Sequence, residues 1–386
     1  MSEVRKCLLQ LLKDSVCNEN TVSQVPSEWL SGLYQLSASH QLSHLVGERL
    51  YQNGLLPSDS PWKAKFELVQ QMTLVQDIRM ESEAARVFNL CEKEGIDYIP
   101  LKGSVLKTIY PRPHMRTGSD IDFLIRREDV ERTAEILAKA GYKVGEYSSH
   151  EISVMTPSGV LLEVHFCLFE YDEQISTVLE KVWETAELVE GTKHRYMLSN
   201  EMFYYYHIAH LLKHFMFGGC GIKSVLDLYL MDKEWPIVGN TYNEMLENTG
   251  IKTFYEACLK LSKVWFGEEE HDETTRAMEE YIFGAGAYGT HENYISVTQS
   301  QSSGHFQASL ERLFLKREVL QNQYPNLKKH PSLLWFYQIK RWADIGLSEG
   351  WERFRDWQRT NSNAKQDKVD STREMLRNLD LLEKKL

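Results

Sequence analysis

The sequence predicts an α+β fold: a small mixed β-sheet core with its own helices, flanked by N-terminal and C-terminal helical regions. Residues 1–93 and those after 199 space their apolar side chains as helices do. Between them, short apolar runs alternate at period two and are punctuated by Gly and Pro. At 386 residues, with 42% apolar and 26% charged side chains, the chain is globular and too long for one ordinary core. Four segments follow: a helical region 1–93, an α/β core 94–198, a helical domain 199–360 and a charged helical tail 361–386.

Each element has a local reason. From Trp62 to Cys91, Phe66, Val69, Met72, Val75 and Ile78 recur at helical spacing without internal Gly or Pro, and Gly95 ends the run. Ile96–Leu101 reads as a short strand, Ser104–Tyr110 as a short helix, and residues 111–118 as a Pro-bearing loop. A strand over 120–126 precedes an amphipathic helix, Glu128–Ala140, closed by Gly141. Strands are expected at about 142–147, 151–155 and 160–168, with Pro157-Ser158-Gly159 as a hairpin turn. Helices resume at Ser199, a suitable N-cap, and the Gly218-Gly219-Cys220-Gly221 run separates two of them. Residues 284–305 are expected to form a long surface loop. Its Phe283–Tyr288 start lacks the strand–turn–helix setting of a dinucleotide site. The tail from Asn361 is expected to be an exposed helix with fraying ends.

Charge narrows the partners. A net charge of −11 and a pI near 5.7 disfavour broad nucleic-acid binding, which needs a basic surface. They leave room for a local basic pocket and a small polyanion neutralised by metal ions. The six cysteines are scattered without a Cys-x-x-Cys pair, so no zinc framework is expected and reduced thiols are. Charges interrupt the N-terminal apolar residues where a signal peptide has none, and no run of about 18 uncharged apolar residues occurs. A cytoplasmic protein with no membrane span is the expectation.

The chemistry concentrates in residues 101–126. A Gly103-Ser104 pair stands at a strand-to-helix junction, and Asp120-Ile121-Asp122 follows inside an apolar strand. Alternation puts Asp120 and Asp122 on one face and Ile121, Phe123 and Ile125 on the other. Two carboxylates about 7 Å apart along a strand repel each other, and suit a divalent metal that carries a triphosphate. Further on, Leu162, Val164, Phe166 and Leu168 alternate with Glu163 and His165. A lone strand acid is usually a solvated residue. After a Gly-Ser turn and an Asp-x-Asp strand, Glu163 is better read as a third carboxylate that completes a second ion's shell and accepts a proton.

Gly103-Ser104, Asp120-Ile121-Asp122 and a later strand acid resemble the nucleotidyltransferase fold of the polymerase-beta superfamily. More closely, Leu101-Lys102-Gly103, the Arg116 to Asp122 run and Glu163-Val164-His165 resemble the uncharacterised nucleotidyltransferase family labelled NTP_transf_5. So does the block His210-Leu211-Leu212-Lys213-His214 with Gly219, Gly221, Leu226 and Asp227, where Lys223 stands in the place of a usual Arg. The resemblance spans about residues 30–240. It implies that the sheet is a nucleotidyltransferase core, with Gly103 and Ser104 offering backbone N–H groups to nucleotide phosphates. It further implies Mg²⁺, two ions with Mn²⁺ an alternative, held by Asp120, Asp122 and Glu163, and in-line attack on the α-phosphate with pyrophosphate leaving. The interval from Gly103-Ser104 to Asp120 exceeds the superfamily's usual one, and the Pro111-Arg112-Pro113 loop absorbs it.

Lys102 and Arg116 flank this site and can pair with triphosphate oxygens, the alternative being ordinary exposed cations. Lys107 and Arg112 read as solvated. Lys213 and His214 match the family block and would serve nucleotide or acceptor binding. His207, His210 and His214 form one helical stripe. His210 and His214 have i, i+4 metal spacing, but no Glu lies between them and no fourth ligand is near. Cleft lining and plain packing both stay open for the stripe. Asp227 and Lys223 can form a structural pair one turn apart, or belong to the site. Trp335, Phe336, Tyr337, Trp342, Trp351 and Trp357 are expected to be core residues rather than an acceptor surface. The expected partners are an NTP and a hydroxyl acceptor, small molecule favoured, receiving an NMP that is AMP first. The competing readings are a toxin-like enzyme that modifies protein or tRNA, and a nucleotide-binding scaffold with lapsed catalysis. The presence of all three acids counts against the last.

Overall fold

The computed structural model describes residues 2–237, 241–302, 326–346 and 350–384, with 314–315, 317, 320 and 324 between them. Four helices open the chain: α1 Glu3–Cys17, α2 Trp29–Ser39, α3 Ser43–Gln52 and α4 Pro61–Glu94. At 34 residues α4 is about 51 Å long. Ser60 caps it through the Trp62 amide, Pro61 occupies its first turn, and Gly95 ends it at φ +69°, a conformation costly for any side chain bearing a Cβ. The N-terminal part of α4 buries Phe66 against the other helices, and its C-terminal part buries Val87 and Cys91 against the sheet. Between them Met72, Val75 and Ile78 are exposed, so the periodicity that marks this helix is not that of a continuously buried face.

The sheet has five strands: β1 Tyr98–Pro100, β2 Asp120–Ile125, β3 Lys143–Tyr147, β4 Glu151–Met155 and β5 Leu161–His165. Their order is β1-β2-β5-β4-β3, with β2 and β5 parallel and the other pairs antiparallel. The expected helix after β1 appears as one α-turn, α5 Gly103–Leu106, followed by a 3₁₀ turn, Lys107–Ile109. Helix α6, Val130–Lys139, closes the segment between β2 and β3. The predicted alternation holds. Ile121, Phe123, Ile125, Leu162, Val164, Ile152 and Val154 form one core with Val87 of α4 and Leu137 of α6. The acids stand on the opposite face. β5 stops at His165, three residues short of its expected end, and Leu168 packs instead with the helical core.

After β5 come α7 Glu173–Leu179, α8 Val182–Thr185 and a two-stranded ribbon, β6 Glu187–Leu188 with β7 Tyr196–Met197, which the sequence pattern is too short to reveal. Helices α9 Asn200–Met216, α10 Ile222–Glu234, α11 Thr241–Asn248, α12 Lys252–Phe266 and α13 Glu273–Ala285 follow. One apolar cluster runs from Leu8 and Leu12 of α1 through Phe215 of α9 and Phe254 of α12 to Leu381. No helix among the described residues is long and apolar enough to cross a membrane.

Three expectations for the C-terminal third are corrected. Residues 284–302 do not form a long loop, because α14 spans His291–Ser300, capped by Thr290 and buried along Asn293, Ile295, Ser296, Gln299 and Ser300, and 303–305 lie outside the described residues. Its polar side chains hid it, yet they are buried with partners. Ser300 Oγ donates to Val369 O at 3.0 Å, and Gln299 Nε2 to Asn361 O at 2.6 Å. Those partners lie in the tail, whose helix Gln366–Asn378 buries Val369, Thr372, Met375 and Leu376 and is therefore packed rather than merely exposed. Among the aromatic residues, Trp357 is buried as expected. Trp335 and Phe336, at 63% and 59% exposed, are not core residues. The Trp351 side chain lies outside the described residues.

Candidate active site

The parallel register of β2 and β5 sets Asp122 beside Glu163 and Leu124 beside His165. Strand alternation sends Asp122, Glu163 and His165 to the same face, where one ligand atom from each lies within 4.8 Å of the other two. Asp120, opposite Leu161, stands at the edge of this trio. Asp122 is 3% exposed and receives Lys102 Nζ at 2.5 Å and His165 Nε2 at 3.1 Å. The same ammonium lies 3.5 Å from Glu163 Oε2. His165 Nδ1 faces Glu151 Oε2 on β4 at 3.3 Å, so the imidazole is held between two carboxylates.

These neighbours drive the acids apart. Burial disfavours the Asp122 carboxylate, but Lys102 and His165 outweigh it and hold that carboxyl well below its usual range. Glu163 is pushed up to about 8, first by burial and then by the Asp122 charge. Asp120 is raised for the same two reasons. Burial opposes the Lys102 charge, yet Asp122 raises that ammonium well above its ordinary value. One cation is thus shared by two carboxylates on adjacent strands.

Lys102 has φ +42° and ψ −120°, a strained backbone for a residue with a Cβ. It immediately precedes Gly103, where an added Cβ would meet only Arg116 Nη1, at 3.8 Å. Gly103, Ser104 and Asp120 line a cavity of about 1000 Å³ whose opposite wall is α4, including Met80, Ala84 and Phe88. The Gly-Ser turn is therefore open to a ligand beside the acids.

Arg116 lines this cavity too, but its guanidinium is engaged. Nε donates to both Asp227 carboxylate oxygens, at 2.7 and 3.0 Å, and Tyr110 Oη donates to the same group at 2.7 Å. Asp227 therefore does not pair with Lys223, the neighbour one turn away on α10. The fork of Arg116 fits a carboxylate in two places, and a lysine offers a point charge. Lys223 Nζ instead reaches Thr117 O and Gln41 Oε1, each at 3.3 Å. Burial and then the Arg116 charge lower Lys223 to about 8. Lys107 is not solvated, since it binds Asp77 and Glu81 of α4, whereas Arg112 stays 42% exposed and pairs with Glu48 at 2.6 Å.

Helix α9 covers the acidic face. Burial, and next the Lys102 charge, lowers both His210 and Lys213, while Tyr206 feels Lys102, Asp122 and Glu163. His214 is lowered to about 4 by burial and then by Lys213. His210 and His214 bring their Nε2 atoms within 3.2 Å, and the Lys213 ammonium lies 4.9 Å from the Tyr171 ring centroid. His207 turns away to Ser224 O at 3.3 Å. The stripe thus divides: His210 and Lys213 face the charges, and His207 is packed. Among the described residues no third metal-ligating group joins the two histidines.

Tyr110, Tyr206 and Glu151 belong to this constellation without having been singled out in the sequence. Only Tyr206 carried a signal, standing one turn before His210 on a helix already suspected of facing the cleft. The donor set fits a hard divalent cation, with buried carboxylate oxygens on adjacent strands and a charge excess that one ammonium only partly neutralises.

Residues 26–267 match the family described as uncharacterised nucleotidyltransferase. The search of curated proteins found no match. A solution structure of the antibiotic-resistance factor ANT(2'')-Ia aligns over 49% of this chain and 92% of its own, at 11% identity and a TM-score of 0.26.

Proposed function

Because the chain belongs to the uncharacterised nucleotidyltransferase family, we propose that it moves an NMP, AMP first, from an NTP to a hydroxyl of a small-molecule acceptor. The observation that carries this reading is the Asp122–Glu163 pair across β2 and β5, with Asp120 beside it and lining the same cavity as the Gly-Ser turn. Asp120, Asp122 and Glu163 would hold divalent metal, Mg²⁺ first, which would neutralise charge building on the transferred phosphoryl group. Gly103 offers its backbone N–H toward the phosphates beside Ser104, whose own amide donates to Leu101 O at 3.1 Å, and Lys102 and Lys213 supply mobile positive charge. His214 keeps Lys213 company on the cleft side of α9. In the reaction the acceptor oxygen forms a bond to the α-phosphorus, and the bond to pyrophosphate breaks. The hydroxyl proton passes to the Glu163 carboxylate, which stands beside Asp122 across β2 and β5.

Arg116 has a different part. With Nε held by Asp227 and Nη1 by Thr117 O at 2.7 Å, it ties the loop before β2 to α10 and shapes the cavity wall rather than gripping phosphate. A cell extract supplied with NTP labelled at the α-phosphate tests the function as a whole. Label should enter a small-molecule fraction with wild-type protein and not with Asp122→Asn. Label in protein or tRNA would move the acceptor to a macromolecule, and no Asp122-dependent label would leave a nucleotide-binding protein without turnover.

A further inference from the structure

The most unusual contact in the molecule is that of Lys102 with the acids. Its Nζ lies 2.5 Å from Asp122 Oδ1 and 3.5 Å from Glu163 Oε2, with a left-handed backbone at φ +42° directing the side chain there. A divalent ion bound by those oxygens would stand about 2.0–2.6 Å from them. An ammonium and a dication cannot both sit that close to one carboxylate oxygen without strong repulsion. We propose that the Lys102 ammonium is a displaceable occupant of the metal seat. In the resting protein it bridges Asp122 and Glu163, and it leaves for the triphosphate when the ion enters. The inference rests on the metal-holding role given above to those two acids.

The physical case has three parts. Two carboxylates on neighbouring strands, one of them 3% exposed, repel each other, and a cation between them lets both stay ionised. Lysine suits a temporary post because its charge rides on a flexible four-carbon stem and loses no fixed fork geometry on leaving. The post opens toward a destination, since Lys102 adjoins Gly103 and Ser104, which line the cavity beside Asp120. A triphosphate bound at that turn offers the ammonium a new partner at the moment the ion takes the old one. Metal and nucleotide then promote each other's binding, and reciprocity requires the effect to run equally in both directions. Lys213, another cation near the acids, lies over the Tyr171 ring and is outside the seat.

The test titrates Mn²⁺ alone, followed by the electron-spin resonance of the free ion, into full-length wild-type protein, Lys102→Met and Lys213→Met. The expected result is that Lys102→Met binds Mn²⁺ at least about tenfold more tightly than wild type, while Lys213→Met changes the affinity less than about threefold. Lys102→Gly, which suits the left-handed backbone, should tighten binding as Lys102→Met does and covers the case in which the latter folds poorly. Two outcomes overturn displacement while leaving the metal assignment intact. One is wild-type binding that the Lys102 variants leave unchanged or weaken. The other is equal tightening by the Lys102 and Lys213 variants, which reports a general loss of positive charge. If neither wild type nor any variant binds Mn²⁺, the metal reading itself fails, and this inference with it.

Discussion

At the scale of single residues, Asp122, Asp120 and Glu163 were legible in the sequence, because alternation along a strand is a local property. Their partners were not. Lys102 is 20 residues from Asp122 and Arg116 is 111 from Asp227, and nothing in the intervening sequence states which cation meets which acid. That distinction has measurable consequences. Arg116→Met leaves Asp227, 1% exposed, without its guanidinium and should cost about 3–5 kcal/mol of stability, read as a lowered midpoint in urea. A variant as stable as wild type would return Arg116 to the phosphates. Glu163→Gln should retain Mg-nucleotide binding in calorimetry and lose about 10²–10⁴ in turnover, the range of a removed general base. Turnover within a few fold of wild type would remove Glu163 from the mechanism.

Elements were read well wherever a period and a terminator coincided. Gly95 closes α4, Ser199 opens α9, and β2 carries its acids on the predicted face. The Ser199 hydroxyl accepts from the Met202 amide at 3.3 Å, so Ser199→Ala should cost about 1 kcal/mol of stability. An unchanged melting temperature would mean that packing of α9, not its cap, sets its start. Between α9 and α10, Gly219 has φ +122°, and a Cβ there would collide with Ala285 of α13. Gly219→Ala should therefore destabilise by about 1–3 kcal/mol. Helix α14 was misread because its sequence is polar. Ser and Thr compete for backbone partners and read as loop-forming, but here Asn361 and Val369 accept from Gln299 and Ser300.

For the whole molecule, acid sensitivity follows from histidines buried as neutral rings, His207 and His210 among them. His40, His44 and His214 are each lowered to about 4, in every case chiefly by burial. Between pH 4 and 6.5 the unfolded chain binds more protons at these positions than the folded one, so stability rises with pH. Their contribution is full above about 6.5 and is lost as pH falls toward 4. Denaturant midpoints measured from pH 7 to 4 should decline across that window, and His44→Gln should flatten the decline, while identical slopes would exclude His44. An α/β segment between helical regions, three acids on two strands and motifs that identify the family are periodic and local, so the chain alone shows them. How charge is distributed among them depends on long-range packing. The register of β2 with β5 makes Asp122 and Glu163 neighbours, and the packing of α10 against the loop before β2 takes Arg116 for Asp227. The reason is physical: a buried charge is stable only beside a partner, and the partner is chosen by which backbones the core brings together.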